Sequence, residues 1–188
     1  MPIILASSSP RRKKILTKLG YKFKVVKPQI DESNSLRLKP IDYVEYISKL
    51  KARKVFDSYN QFDVIAADTI IEFQNKIIGK PKDKNNAKEI FLSLSNKSHN
   101  VVTSLTFKNI EIEKTITDST KITFKNLSDD LIDYYIQNFN VLDKAGGYNI
   151  DQSFFKENFV KNYEGCFENV TGFPMTMFFE KKIDKFIK

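Results

Sequence analysis

Apolar positions along the chain fall into two periods, one suited to strands and one to helices. Ile3-Ile4-Leu5-Ala6 is an unbroken apolar run, the mark of a strand buried on both faces, and residues 2–6 are predicted as the first strand. Pro10 opens a segment in which Ile15, Leu16 and Leu19 share one face until Gly20 stops it, which predicts a helix over 10–19. Phe23, Val25 and Val26 predict a second strand ending at Pro28. From Pro40, the spacing of Tyr43, Val44, Ile47, Leu50, Val55 and Phe56 predicts a long helix. Phe62 to Ala67 predicts a short apolar strand that delivers Asp68, and Thr69 to Ile78 a hairpin around Asn75-Lys76.

The second half is more polar. A helix is predicted over about 83–94, and two alternating strands, about 99–108 and 111–124, are expected to pair. Ser128-Asp129-Asp130 reads as a helix cap, Asp143 to Gly147 as a glycine-bearing loop. Phe173-Pro174 introduces a final helix carrying Met175, Phe178, Phe179, Ile183 and Phe186. Strands and helices mix without strict alternation, so the expected fold is α/β, a mixed sheet flanked by helices. No linker rich in Pro, Gly or Ser divides it, and residues 1–188 read as a single domain.

With 41% hydrophobic and 29% charged residues, the chain is globular rather than disordered. The net charge of +8 admits nucleic acid, a membrane surface or a polyanionic small molecule as partner. Abundant Lys, Asn, Ile and Phe also look like an AT-rich coding bias, which weakens the charge as a functional signal. One cysteine, Cys166, excludes an internal disulfide and suits a reducing compartment. No run approaches the roughly 18 apolar residues of a membrane span, and Met1 to Ala6 is short for a secretory signal. A cytoplasmic location is expected.

Two of the four arginines stand together in Ser7-Ser8-Ser9-Pro10-Arg11-Arg12, directly after the first strand. A guanidinium grips phosphate oxygens bidentately, and the N–H groups of a helix N-terminus pull the same way. The segment therefore reads either as an anion cradle or as a Ser-capped helix with a solvated basic face. Small residues before an acid, in Ala66-Ala67-Asp68-Thr69, admit a ligand close to the backbone. Asp68 there could ligate Mg²⁺ or take a proton from water, or simply cap a turn. Glu32, beside Asp31, could supply a second carboxylate or be a solvated acid. Lys51 and Lys80 could neutralise phosphate. His99, the only histidine, reads as structural, and Cys166 as a small buried residue. No GxGxxG, GxxxxGK[ST] or CxxC occurs, which argues against dinucleotide-fold and P-loop nucleotide sites.

Seven segments occur in order: Leu5 to Arg12, Lys51-Ala52, Ala66 to Thr69, Gly79-Lys80-Pro81, Ser98 to Thr103, Asp143 to Tyr148, and Asn169 to Pro174. Together they resemble the Maf family of nucleoside triphosphate pyrophosphatases, also called septum formation proteins, over residues 3 to about 175. The resemblance implies a two-lobed fold with a cleft, similar to inosine triphosphate pyrophosphatases. It also implies cleavage of a nucleoside triphosphate to monophosphate and pyrophosphate, a divalent cation (Mg²⁺ or Mn²⁺) and a homodimer. Carried over by position, Asp68 is the proton acceptor; Ser7, Arg12, Lys51 and Lys80 bind phosphate; Glu32 and Asp68 hold the metal. Arg11 and Thr69 match the dTTP/UTP group of that family, whereas Asp151 stands where that group has Gln, with Gln152 one residue late. Two other readings stay open at this point: a basic nucleic-acid-binding module, suggested by the +8 charge and the Tyr and Phe content although the aromatics fall mainly at apolar-periodic positions, and a cell-division regulator that binds another protein.

Overall fold

A computed structural model describes residues 3–187. The element order is β1 (Ile3–Ala6), α1 (Pro10–Lys18), β2 (Phe23–Val25), α2 (Pro40–Phe56), β3 (Val64–Phe73), β4 (Lys76–Ile78) and α3 (Lys84–Leu94). It continues with β5 (Ser98–Lys108), β6 (Glu113–Phe124), α4 (Asp129–Asn138), α5 (Ser153–Phe159), β7 (Val160–Glu164), α6 (Phe167–Val170) and α7 (Met175–Glu180). The seven strands form one mixed sheet in the order β2-β1-β3-β5-β6-β7, with β4 on β3. β1 pairs parallel with β2 and β3, while β3–β4 and β6–β7 are antiparallel. The expected α/β class is the one observed.

The chain resolves into two compact units, each discontinuous in sequence: residues 1–69, 102–118 and 166–188, and residues 70–101 and 119–165. In the first, strand alternation sorts the core into two layers. Ile3, Leu5, Ile65 and Ala67 pack with Ile15 and Leu16 of α1 and Phe178 of α7. Ile4, Ala6, Val64 and Ala66 face Ala52 and Val55 of α2. Alanines at 6, 52 and 66 let α2 lie close to the sheet. In the second unit an aromatic core of Phe91, Phe124, Tyr135, Tyr148, Phe155 and Phe159 is buried, with Tyr148 and Phe155 stacked at 4.8 Å.

Four sequence expectations need correction. β3 does not end before Asp68 but runs through it to Phe73, because alternation leaves polar side chains on a continuous strand. The hairpin turn falls on Gln74-Asn75, both at positive φ, one residue earlier than expected. The final helix stops at Glu180, and left-handed Lys182 separates it from a short 3-10 turn over Ile183–Phe186. Finally, α5, β7 and α6 occupy residues 153–170, where no element was expected.

Candidate active site

From Ala6 the chain turns through three serines into α1. Pro10 at the first helical position pre-sets φ and has no N–H to leave unpaired, and no acidic side chain occupies the first turn. Ser9 stands at the N-cap but makes no side-chain cap bond. Instead Ser7 Oγ accepts the Ser9 N–H at 3.1 Å and Arg12 Nη1 at 3.1 Å, which leaves the Ser7 proton to be donated outward.

Arg12 is 9% exposed. Its Nε donates to the Gly172 carbonyl at 2.8 Å and its Nη2 to Thr69 Oγ1 at 2.9 Å. All three of its acceptors are therefore neutral, and among the described residues no carboxylate lies within ion-pair distance of it. Burial pulls its pKa down to about 10, against the attraction of Asp68, with Arg11 lowering it further and Glu32 opposing. It remains charged at neutral pH, a buried cation that no carboxylate of the described residues touches directly, a setting in which an arriving anion gains strongly. Gly172 makes this approach possible. Its φ is +102°, and a Cβ there would lie 3.3 Å from both Arg12 Nε and Thr69 Oγ1.

Alternation on β3 separates its two polar residues. Asp68 shares a face with Val64 and Ala66, toward α2, and Thr69 shares a face with Ile65 and Ala67, toward α1. On the α2 side, Lys51 Nζ lies 2.7 Å from Asp68 Oδ1 and 2.9 Å from Glu32 Oε1. The Lys51 and Asp68 side chains are 8% and 11% exposed, that of Glu32 51%. Asp68 Oδ2 makes no hydrogen bond with the described residues, and one ammonium N–H is left over. Tyr43 OH, from the first turn of α2, donates to the Glu32 carbonyl at 2.6 Å and so ties down the loop that carries Glu32. Burial, with Asp68, Glu32 and Asp31 nearby, pushes the Tyr43 pKa up to about 12, so the phenol keeps the proton it donates.

The first unit thus brings together Ser7, Arg12, Glu32, Lys51, Asp68 and Thr69, with half-buried Arg11 on α1. Lys80 and Asp151 belong to the second unit, where both are exposed. Asp151 N donates to Asn149 Oδ1 at 3.2 Å, while half-buried Gln152 accepts from Tyr135 OH at 2.9 Å. His99 is a core residue of that unit, its Nε2 2.8 Å from Tyr148 OH, and burial lowers its pKa to about 4. Cys166 is half-buried rather than buried as expected, because its Sγ reaches the Glu168 carboxylate at 3.5 Å near the surface. Sequence reasoning gave no role to Tyr43, Thr103, Asn169 or Gly172. The last three lie in segments whose order carried the family resemblance, and the Thr171-Gly172-Phe173-Pro174 run was the one local signal of an unusual backbone.

Glu32 and Asp68 are hard oxygen donors, and Mg²⁺ is commonly held by one or two carboxylates with substrate phosphates completing its shell. Among the described residues no three His, Cys, Asp or Glu side chains form a ready-made cage. The pair therefore fits a divalent ion that arrives with phosphate. Among the described residues, no helix is long and apolar enough to cross a membrane.

A family model described as Maf-like protein matches residues 2–181. A dTTP/UTP pyrophosphatase of Thermotoga maritima is 38% identical over 187 residues, spanning 98% of this chain and 90% of that protein. One from Thermosipho melanesiensis is 42% identical over 176 residues (94% and 93%), and one from Flavobacterium johnsoniae 37% over 179 (95% and 92%). The solved structure of the Staphylococcus aureus Ham1 protein overlays with a TM-score of 0.48 at 15% identity, covering 66% of this chain and 72% of that one, too distant to bear on the site. On a match that runs almost end to end, and on relatives this similar over nine-tenths of their length, the chain belongs to the Maf family.

Proposed function

We propose that this protein hydrolyses nucleoside triphosphates, dTTP and UTP foremost, between the α- and β-phosphates, releasing the monophosphate and pyrophosphate. The observation that carries the reading is the buried Arg12 guanidinium, held only by neutral acceptors, in one unit with the Glu32–Lys51–Asp68 cluster. The names of the relatives supply the substrate class.

Charge sets the terms of the chemistry. A triphosphate brings about four negative charges, and phosphoryl transfer is largely positioning and neutralisation. Arg12 and Lys51 are balanced by Asp68 and Glu32, so these four side chains supply no net positive charge. A divalent cation held by Glu32 and Asp68 would make up the deficit and withdraw charge from the phosphate oxygens. Arg12 offers its remaining N–H groups to phosphate, Ser7 its hydroxyl proton, and the first turn of α1 its backbone N–H groups. Lys51, on whose nitrogen one N–H is unused, can reach toward phosphate while staying near Asp68. Asp68 Oδ2, which makes no hydrogen bond with the described residues, would take the proton of an attacking water. At long range the field favours the same partner. The unit holding these residues carries twenty Lys and Arg against thirteen Asp and Glu, whereas the other carries eleven against ten.

Specificity rests on a smaller base. Arg11 and Thr69 match the dTTP/UTP pattern, and exposed Asp151 offers only acceptors where an amide would offer both donor and acceptor. A preference for dTTP and UTP that is loose, and that Asp151→Gln sharpens, follows from this. The Mg²⁺ or Mn²⁺ cofactor and the homodimer are further parts of the reading, supported by the family resemblance; a cytoplasmic location is supported by the lone cysteine. A panel of nucleoside triphosphates with and without divalent cation, with products separated by ion-exchange chromatography, tests it. Monophosphate and pyrophosphate from dTTP and UTP are expected; a diphosphate with orthophosphate would place the cut at the wrong bond.

A further inference from the structure

We propose that Thr103 is a positioning residue for Arg12, acting through Thr69 by a hydroxyl relay of fixed direction. The inference rests on the reading of Arg12 as a phosphate ligand. It begins with a proton count. Thr103 Oγ1 donates to the Asn169 carbonyl at 2.7 Å. A hydroxyl has one proton, so the 3.0 Å contact between Thr69 Oγ1 and Thr103 Oγ1 is donated by Thr69. Arg12 Nη2 in turn donates to Thr69 Oγ1 at 2.9 Å. The bonds therefore run one way, from guanidinium to Thr69, to Thr103, to a backbone carbonyl.

The relay ends on the same short segment that holds the guanidinium directly. Asn169 supplies the terminal carbonyl and Gly172 the carbonyl that accepts Arg12 Nε at 2.8 Å. The Nε–Nη2 edge of the guanidinium is thus pinned at one end by residue 172 itself and at the other through two threonines on neighbouring strands, β3 and β5. Thr103 and Asn169 are both fully buried, so water does not compete for the bond that ends the relay. Each bond in such a chain polarises the next, and the relay terminates on an acceptor with no proton to return.

A guanidinium binds phosphate as a rigid plane, and a small rotation of that plane loses the bidentate contact. The lowered pKa of Arg12 marks how little solvent holds the group in place; the neutral acceptors do that work. Thr103 lies two hydrogen bonds from Arg12 and so acts on it through Thr69. The Thr69 proton is committed to the relay, which leaves the Thr69 hydroxyl only acceptor capacity toward any substrate.

The test is a double-mutant cycle on Thr103→Val and Arg12→Lys, with Thr103→Ser as the conservative control, read by steady-state kinetics on dTTP or UTP. A second readout is the Nε–H resonance of Arg12 in a ¹H–¹⁵N spectrum of the protein without nucleotide, identified among four arginines by its loss in Arg12→Lys. Thr103→Val is expected to lower kcat/KM roughly tenfold, as for a neutral hydrogen bond lost with its buried partner left unsatisfied, and to shift or broaden the Arg12 signal. Thr103→Ser should restore both, and Thr103→Val should add nothing in the Arg12→Lys background. The relay is overturned if Thr103→Val costs as much in that background as alone, if serine does no better than valine, or if the Arg12 resonance is unmoved. Should Arg12→Lys itself be silent, the phosphate reading fails while the resonance still reports on the relay. If Thr103→Val does not fold, half-exposed Thr69→Val takes its place in the same cycle.

Discussion

Lys51→Met removes the one positive charge shared by the two carboxylates of the site. Asp68 Oδ1 and Glu32 Oε1 bond the same nitrogen at 2.7 and 2.9 Å, so they are at most about 5.6 Å apart. At an effective dielectric of about 20, two unit charges at that separation repel by roughly 3 kcal/mol. Glu32 is half exposed, and solvent screening brings the figure to about 1–2 kcal/mol. Methionine keeps an unbranched stem and a good helix propensity on α2, so the loss of charge is the main perturbation. Without divalent cation, and at low ionic strength, urea unfolding followed by circular dichroism should show the variant less stable by about 1–2 kcal/mol. Mg²⁺ or Mn²⁺ should restore most of that, because a divalent ion can stand where the ammonium stood. The unmodified protein should gain less from the same ion, since Lys51 competes for both carboxylates. A variant of unchanged stability, or one that gains no more from the cation than the parent, refutes both the shared-ammonium account and the assignment of the pair as the metal site.

Asp68→Asn keeps shape and removes the base, so kcat should fall by roughly 100-fold or more while nucleotide affinity changes much less; a near-normal kcat would move the base elsewhere, with Glu32 the first alternative. Tyr43→Phe cuts the tether to the Glu32 carbonyl and should weaken Mn²⁺ binding in the presence of a non-hydrolysable nucleotide several-fold, with a stability loss of about 1 kcal/mol; unchanged Mn²⁺ affinity would show that the loop holds itself. The pKa of His99 is about 4 in the fold against 6.5 unperturbed, so the unfolded chain takes up the proton first as pH falls. The stability that neutral His99 protects is full above about pH 6.5 and is lost as pH drops toward 4, by roughly 3 kcal/mol, and His99→Gln should flatten that part of the pH–stability curve.

The parts of the fold legible in the sequence are those where local chemistry and burial agree. β1 and α1 follow from four apolar residues, Pro10 and Gly20, and α2 from a long apolar stripe begun by Pro40. Asp68 interrupts the apolar run and so hides the full length of β3; the strand continues because its backbone pairs on and Lys51 compensates the buried carboxylate. Residues 153–170 hid their elements for another reason. Phe154, Phe155 and Phe159 lie within one seven-residue helix, too short to show a period, and β7 is polar on nearly every position because four of its five residues are exposed. In the site, the paired arginines and an acid after small residues point to Arg12 and Asp68, whereas Lys51, one lysine among many, is singled out only by the family resemblance. Their supports are carbonyls and hydroxyls, Gly172, Asn169, Thr103 and the Tyr43 tether, brought in from strands and loops far along the chain. No spacing rule announces such partners.

Hydrolysis of dTTP or UTP in H₂¹⁸O tests the central claim most directly, because the label marks which phosphorus the water attacks. Attack on the α-phosphorus, with Asp68 as base and Arg12 and Lys51 on the phosphates, puts ¹⁸O into the nucleoside monophosphate and none into pyrophosphate. Mass spectrometry showing the label in pyrophosphate, or in orthophosphate, would contradict the account.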